Sequence, residues 1–260
     1  MGDVIMKKGD IVGRISYNQD IIFVIYDIKG NTAFLQGLYV RLIADSDLSD
    51  LVLIENSVLT RYQESKKEYE NSIISNYKKK IDHITGRILH IDSDAFYLKK
   101  CLNLYESLGI YAYGVEMDED IMPANIMEYM LKVRPNVVVI TGHDSYNNRG
   151  VDNLNNYKNT LNFVKTIVKI RTTYGPSDVF IFAGACGSNA EALIAAGANF
   201  SSSFDRKNIE AYDPAIVGIL AAITPFNQII KIDDIYSFSK MKRGSIGGVE
   251  SHGKMRLLVR

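Results

Sequence analysis

The sequence predicts an α/β protein: a mostly parallel sheet flanked by helices, preceded by a small SH3-like β-barrel domain. Three observations carry this. Residues 7–55 hold four or five short strand-like runs and no long helical pattern. From Gly86 onward, strand-like and helix-like stretches alternate, a pattern that builds parallel sheets through right-handed crossovers. Two later runs, residues 136–141 (NVVVIT) and 178–183 (DVFIFA), are continuously apolar and bounded by turn residues. Strands buried on both faces of a parallel sheet look like this.

Taken in order, residues 10–16, 21–28, 32–40 and 51–54 read as strands, with Lys29-Gly30-Asn31 as a hairpin signal. They define a barrel domain over residues 1–57, read as a docking module because no reactive cluster falls within it. Residues 58–84 read as a helical linker: 58–82 lacks Gly and Pro and is rich in helix formers. Its Lys78-Lys79-Lys80 run suits a helix C-terminus. Residues 85–260 form the α/β domain. Strands are expected at 87–91, 110–116, 136–141, 178–183, 199–204 and 229–232. Helices are expected at 95–108, 123–133, 157–174, 189–196 and 215–223. In the 157–174 helix, Leu161, Val164, Val168 and Arg171 fall at helical spacing.

Composition bounds the function. The chain has 260 residues, 47% of them hydrophobic, enough for a substantial core. Lys+Arg and Asp+Glu are both 30, so no general attraction to nucleic acid or to an anionic membrane is expected. Two cysteines, Cys101 and Cys186, are too few for a disulfide scaffold and match no zinc spacing. The start, MGDVIMKKGD, lacks the apolar core of a signal peptide, and residues before Met6 read as a leader outside the fold. The longest apolar stretch, 215–226, is too short to span a bilayer. These features predict a soluble protein, cytoplasmic when synthesised, with no cofactor and no metal.

Chemistry collects beyond the carboxyl ends of strands in open parallel sheets. One such end here carries His143 and another Cys186. A thiol opening a helix after Gly184-Ala185 sees the positive end of the helix dipole, which favours the thiolate. An imidazole at the neighbouring strand end can act as its general base. Asp144 either orients that imidazole or is a solvated turn residue. Asp92 and Asp94 end a third strand on the same edge; they can bind a basic group, and Asp94 can also cap the following helix. A Mg²⁺-binding receiver pattern fails, because the third strand ends in Thr141-Gly142-His143-Asp144. Cys101, amid KKCLNLY, and His83, His90 and His252 read as structural. The competing reading is a non-catalytic scaffold, or a nucleotide- or phosphate-binding α/β module.

An apolar strand ending at His, a helix, and an apolar strand ending in Ala-Cys resemble the caspase, gingipain and clostripain superfamily of cysteine peptidases. Within it, KKGDIVGRISYNQDI, VVVITGHDSY, GACGSNAEALIAAGANFSSS and the tail GGVESHGKMRLL resemble the YabG-type sporulation-specific peptidases, over nearly the whole chain. The resemblance implies a caspase-like fold and a thiol protease that processes spore-coat and morphogenetic proteins, with cleavage after arginine and association with the developing coat. It implies Cys186 as nucleophile and His143 as general base, with Gly142, Asp144, Gly184 and Gly187 positioning the loops or holding the oxyanion. The superfamily's usual His-Gly order stands here as Gly142-His143-Asp144. An arginine pocket requires a carboxylate, and Asp92 or Asp94 is expected to supply it, with Asp205 as second candidate. Superfamily members often process themselves, and Arg149, Arg206 and Arg243 are the expected places.

Overall fold

The computed structural model describes residues 5–80 and 83–258. The expected leader before Met6 is described only at Ile5, and residues 81–82, at the expected end of the linker helix, lie outside the described residues. The chain divides into two compact units, the boundary falling between Tyr69 and Glu70, within helix α1 (Asn56–Lys78).

The first unit contains strands β1 (Ile11–Arg14), β2 (Phe23–Lys29), β3 (Thr32–Gly37), β4 (Ile43–Asp47) and β5 (Leu51–Leu53). Each pairs antiparallel with its neighbour, in the order β4-β3-β2-β1-β5. Gly30, at a positive φ of 60°, turns β2 into β3 as the hairpin signal requires. Val12, Phe23, Ile25, Ala33, Leu35 and Leu51 form the core. Of the expected SH3-like barrel the structure gives a five-stranded antiparallel sheet, with no closed barrel among the described residues. β4 and β5 stand at opposite edges, and among the described residues no pairing joins them. Closure needs strands long enough to tilt and stagger, and β5 spends its three residues on β1.

The second unit alternates β6 (Ile88–Asp92), α2 (Ala95–Ser107), β7 (Ala112–Glu116), α3 (Met122–Val133), β8 (Val137–Thr141), α4 (Thr160–Arg171), β9 (Phe180–Ala183), α5 (Ala190–Ala195) and β10 (Phe200–Ser202). Helices α6 (Asp213–Ile223) and α7 (Ile232–Phe238) and strand β11 (Ile246–Gly248) follow. The six-stranded sheet has the order β11-β10-β9-β8-β6-β7, parallel except for β11. Side chains alternate across it. Leu89, Ile91, Val138, Ile140 and Ile181 face one core with Ile126, Met130, Phe163 and Ile167 of α3 and α4. On the other face α6 lies close to β8: a Cβ on Gly218 would stand 2.9 Å from Val139. All eleven residues of α6 are buried. Each large aliphatic side chain so buried contributes about 1.5–3 kcal/mol.

Chain order reverses between β6 and β8, since β7 lies outside β6 while β8, β9 and β10 run the other way. Ligand crevices form at such switch points. Asp92 of β6 lies in register with Thr141 of β8, so the loops after these two strands leave the sheet side by side.

Two expectations are corrected. The buried face of α4 is Phe163, Ile167 and Ile170, while Leu161 and Val168 are exposed. Phe163, Thr166, Ile167 and Ile170 follow one another at i, i+3, i+4 and i+7, so the buried stripe lies beside the one read from Leu161, Val164 and Val168. The strand expected at 229–232 is absent: Ile229 makes an isolated bridge to His252, and α7 starts at Ile232.

Candidate active site

β8 ends at Thr141, and Gly142 and His143 begin the loop above it. A Cβ on Gly142 would collide with Glu119 Oε1 and stand 2.7 Å from Ser93 Oγ, so the carboxylate of Glu119 lies against bare backbone. That oxygen accepts the His143 N–H at 2.7 Å and the Ser93 hydroxyl at 2.5 Å. Glu119 therefore ties the loops after β6, β7 and β8 together. Sequence reasoning missed it: it is one of four acids in EMDED, and nothing in the pattern distinguishes it. The His143 ring, 28% exposed, places Nε2 3.0 Å from Asp94 Oδ2 and stands edge-on to the buried Tyr97 ring.

Asp144 points away from that imidazole and into the protein. One carboxylate oxygen accepts the N–H groups of Ser145 at 2.8 Å and Asn159 at 2.7 Å. The other accepts the hydroxyls of Thr160 at 2.5 Å and Ser188 at 3.0 Å. Burial raises the pKa of Asp144 above its ordinary value, and these four hydrogen bonds oppose the rise. Thr160 Oγ1 in turn accepts the Asn189 N–H at 3.1 Å. The His143 loop and the Cys186 turn are thus stitched to each other and to the start of α4.

Cys186 lies in the tight turn after β9. Gly184 (φ 148°) and Gly187 (φ 72°) hold left-handed conformations that disfavour a side chain. A Cβ on Gly184 would press on Ser202 Oγ at 2.6 Å, and one on Gly187 would stand 3.4 Å from Tyr146 N, beside the His143 loop. The Gly184 N–H donates to Ile140 O at 3.1 Å, the Ala185 N–H to Ser188 Oγ at 3.0 Å, and the Gly187 N–H to Ser203 Oγ at 2.9 Å. Cys186 does not open a helix as expected. Asn189 caps α5, which starts at Ala190, and a dipole's influence fades within a turn. Instead the Ile209 N–H points at Cys186 Sγ at 3.4 Å. Cys186 is 8% exposed.

The three acids expected to read arginine lie in different surroundings. Asp92 is wholly buried, and its Oδ1 accepts the Asp94 N–H at 3.0 Å. Asp94 Oδ1 caps α2 through the N–H groups of Phe96 at 2.9 Å and Tyr97 at 3.4 Å, while Oδ2 meets His143. Asp205 lines a cavity of about 190 Å³ with Ile209, Glu210 and Asp213, and its carboxylate lies 3.5 Å from Lys207 Nζ. Ile209, which lines this cavity, donates its N–H to the Cys186 sulfur, and Lys207, Lys240 and Lys242 line the cavity too. Among the described residues no three His, Cys, Asp or Glu side chains gather to hold a metal ion, and no helix is long and apolar enough to cross a membrane.

A family model described as YabG peptidase U57 matches residues 7–260. The sporulation-specific protease YabG of Bacillus subtilis (strain 168) is 38% identical over 278 aligned positions, covering 96% of each chain.

Proposed function

The chain belongs to the YabG peptidase family, and from that premise we propose that it is a cysteine endopeptidase of sporulation with a caspase-like α/β domain. Cys186 attacks the scissile carbonyl and His143 accepts the thiol proton, then delivers it to the leaving amine; water hydrolyses the acyl-enzyme thioester. The observation that carries this reading is that β8 and β9 are parallel neighbours and the loops they launch are joined by the Ser188–Asp144 hydrogen bond. His143 and Cys186 therefore leave the same edge of one sheet. Two loops held this way form a site preorganised before substrate arrives.

The Cys186 N–H and the N–H of Asp144, the residue after the histidine, are the donors we assign to the oxyanion. Gly187 serves the turn instead, since its N–H is engaged by Ser203. Gly142 and Gly184 provide the close backbone approaches on either side.

For specificity we propose Asp205 as the reader of an arginine side chain, because it shares a cavity with Ile209, whose N–H points at the Cys186 sulfur. Asp92 has no exposed surface for a guanidinium to reach, and Asp94 is engaged with His143 and the α2 cap. A carboxylate at a pocket wall offers the charge-assisted pair that a desolvated guanidinium requires. As natural substrates we propose spore-coat and morphogenetic proteins, the class implied by the resemblance of the sequence to sporulation peptidases. Of the arginines suited to self-cleavage, Arg206 is held by Glu191 at 2.7 Å, whereas Arg149 lies in the exposed stretch between β8 and α4 and Arg243 is a surface residue.

The test is cleavage of a fluorogenic peptide amide ending in arginine, alongside alkylation by iodoacetamide at neutral pH. Cys186 should be modified selectively, and Cys186→Ala should leave no turnover. Retained turnover in that variant would end the proposal. Mass spectrometry of the purified wild type against Cys186→Ala reports any self-cleavage.

A further inference from the structure

We infer that Asp94 is the positioning residue for His143, and that Asp92, His90 and Tyr105 form its buried support. This rests on the dyad proposed above and reassigns Asp94 from the substrate to the imidazole.

The two oxygens of Asp94 do different things. Oδ1 caps α2, a task that needs one acceptor. Oδ2 is turned to the cleft side, 3.0 Å from His143 Nε2. An ionised carboxylate can only accept, so Nε2 carries the proton in that pair and Nδ1 is the nitrogen left to take a proton from Cys186. Asp94 is only 9% exposed, so solvent competes little for the bond.

Behind Asp94 the groups continue inward. Asp92 Oδ1 accepts the Asp94 N–H at 3.0 Å and so fixes the backbone that aims Asp94. Period-two alternation puts His90 and Asp92 on the same face of β6, and His90 Nε2 stands 3.9 Å from Asp92 Oδ2. His90 Nδ1 shares a hydrogen bond of 2.8 Å with the Tyr105 hydroxyl of α2. His90, Asp92 and Tyr105 have no exposed surface. Burying a carboxylate and an imidazole this deeply costs stability unless they are matched. The Tyr105–His90 hydrogen bond and the 3.9 Å ionic approach of His90 to Asp92 set these groups in one file, which ends at the cleft, on the switch point between β6 and β8.

The experiment uses the full chain, the arginyl peptide amide as substrate, and nitrogen NMR of histidine-labelled protein to follow the four imidazoles. In Asp94→Asn, which keeps a cap, kcat should fall by about a hundredfold to ten-thousandfold, the worth of a positioned general base. KM and the preference for arginine over lysine should stay unchanged. The carboxylate favours the imidazolium, so its loss should move the acid limb of the pH–rate profile, where the general base loses its proton, and the His143 NMR titration, to lower pH. Tyr105→Phe, which leaves Asp94 in place, should shift the same limb in the same direction by less. It carries the test if Asp94→Asn does not fold.

Loss of arginine preference with kcat retained, or a His143 titration unmoved in both variants, would overturn the inference. If wild type neither cleaves the peptide nor shows selective alkylation of Cys186, the peptidase proposal fails instead. The NMR titration still decides whether Asp94 controls the His143 ring.

Discussion

The turn after β9 and the middle of α2 each hold one of the two cysteines, and both thiols are buried. Burial therefore does not separate them. Cys101 lies inside a regular helix, packed on all sides, with its thiol donating to Ala211 O at 3.3 Å. Cys186 lies between two positive-φ glycines, receives an N–H at its sulfur, and sits where three loops converge. A thiol that donates is held as a neutral S–H; a sulfur that is donated to suits an anion. On the proposed reading Cys186 is the nucleophile and Cys101 is inert.

The largest effect that would break this contrast is Cys186→Ala, expected to remove peptide turnover altogether, a loss of at least about four orders of magnitude. Next comes Asp205→Asn, expected to lower kcat/KM for arginyl peptides about tenfold to a hundredfold, with alanyl peptides unaffected, measured as a ratio of the two substrates. Gly142→Ala should displace Glu119 from the His143 N–H and reduce kcat with KM retained, because its Cβ has no room. Asp144→Ala strips a shared acceptor from two amides and two hydroxyls and should cost about 2–4 kcal/mol in denaturant unfolding. The smallest effect belongs to Cys101→Ala: activity unchanged, stability lower by about 1–2 kcal/mol from the lost packing.

Asp144 also carries a pH signature. Its pKa is raised above the ordinary value of 3.8 by burial, so the folded protein holds that proton to higher pH than the unfolded chain does. Its contribution to stability therefore falls as pH rises from 3.8 through the folded value. Thermal melts across that window should show a flatter pH dependence in Asp144→Asn than in wild type.

Much of this site was legible because strands buried on both faces announce themselves. VVVIT and FIFA are unbroken apolar runs, and the residues that end them stand out against them. Asp94 was readable as a helix cap, but its second oxygen was not, since only the adjacency of β6 and β8 brings His143 to it. Glu119, Thr160, Asn159 and Ser188 left no trace in the pattern, because single polar residues in loops gain their partners from tertiary structure alone. β4, with the sequence IADSD, lacks the apolar alternation of a strand and is held by pairing with β3. The α4 face was misread because exposed Leu161 and Val168 mimic a buried stripe, while Thr166 sits within it.

Asp144 joins the His143 loop and the Cys186 turn through a single carboxylate. A force that displaces one of these segments is therefore transmitted to the other. The pair behaves as a single mechanical part: prising the His143 loop and the Cys186 turn apart means breaking the carboxylate's bonds to Ser188 and Thr160 together.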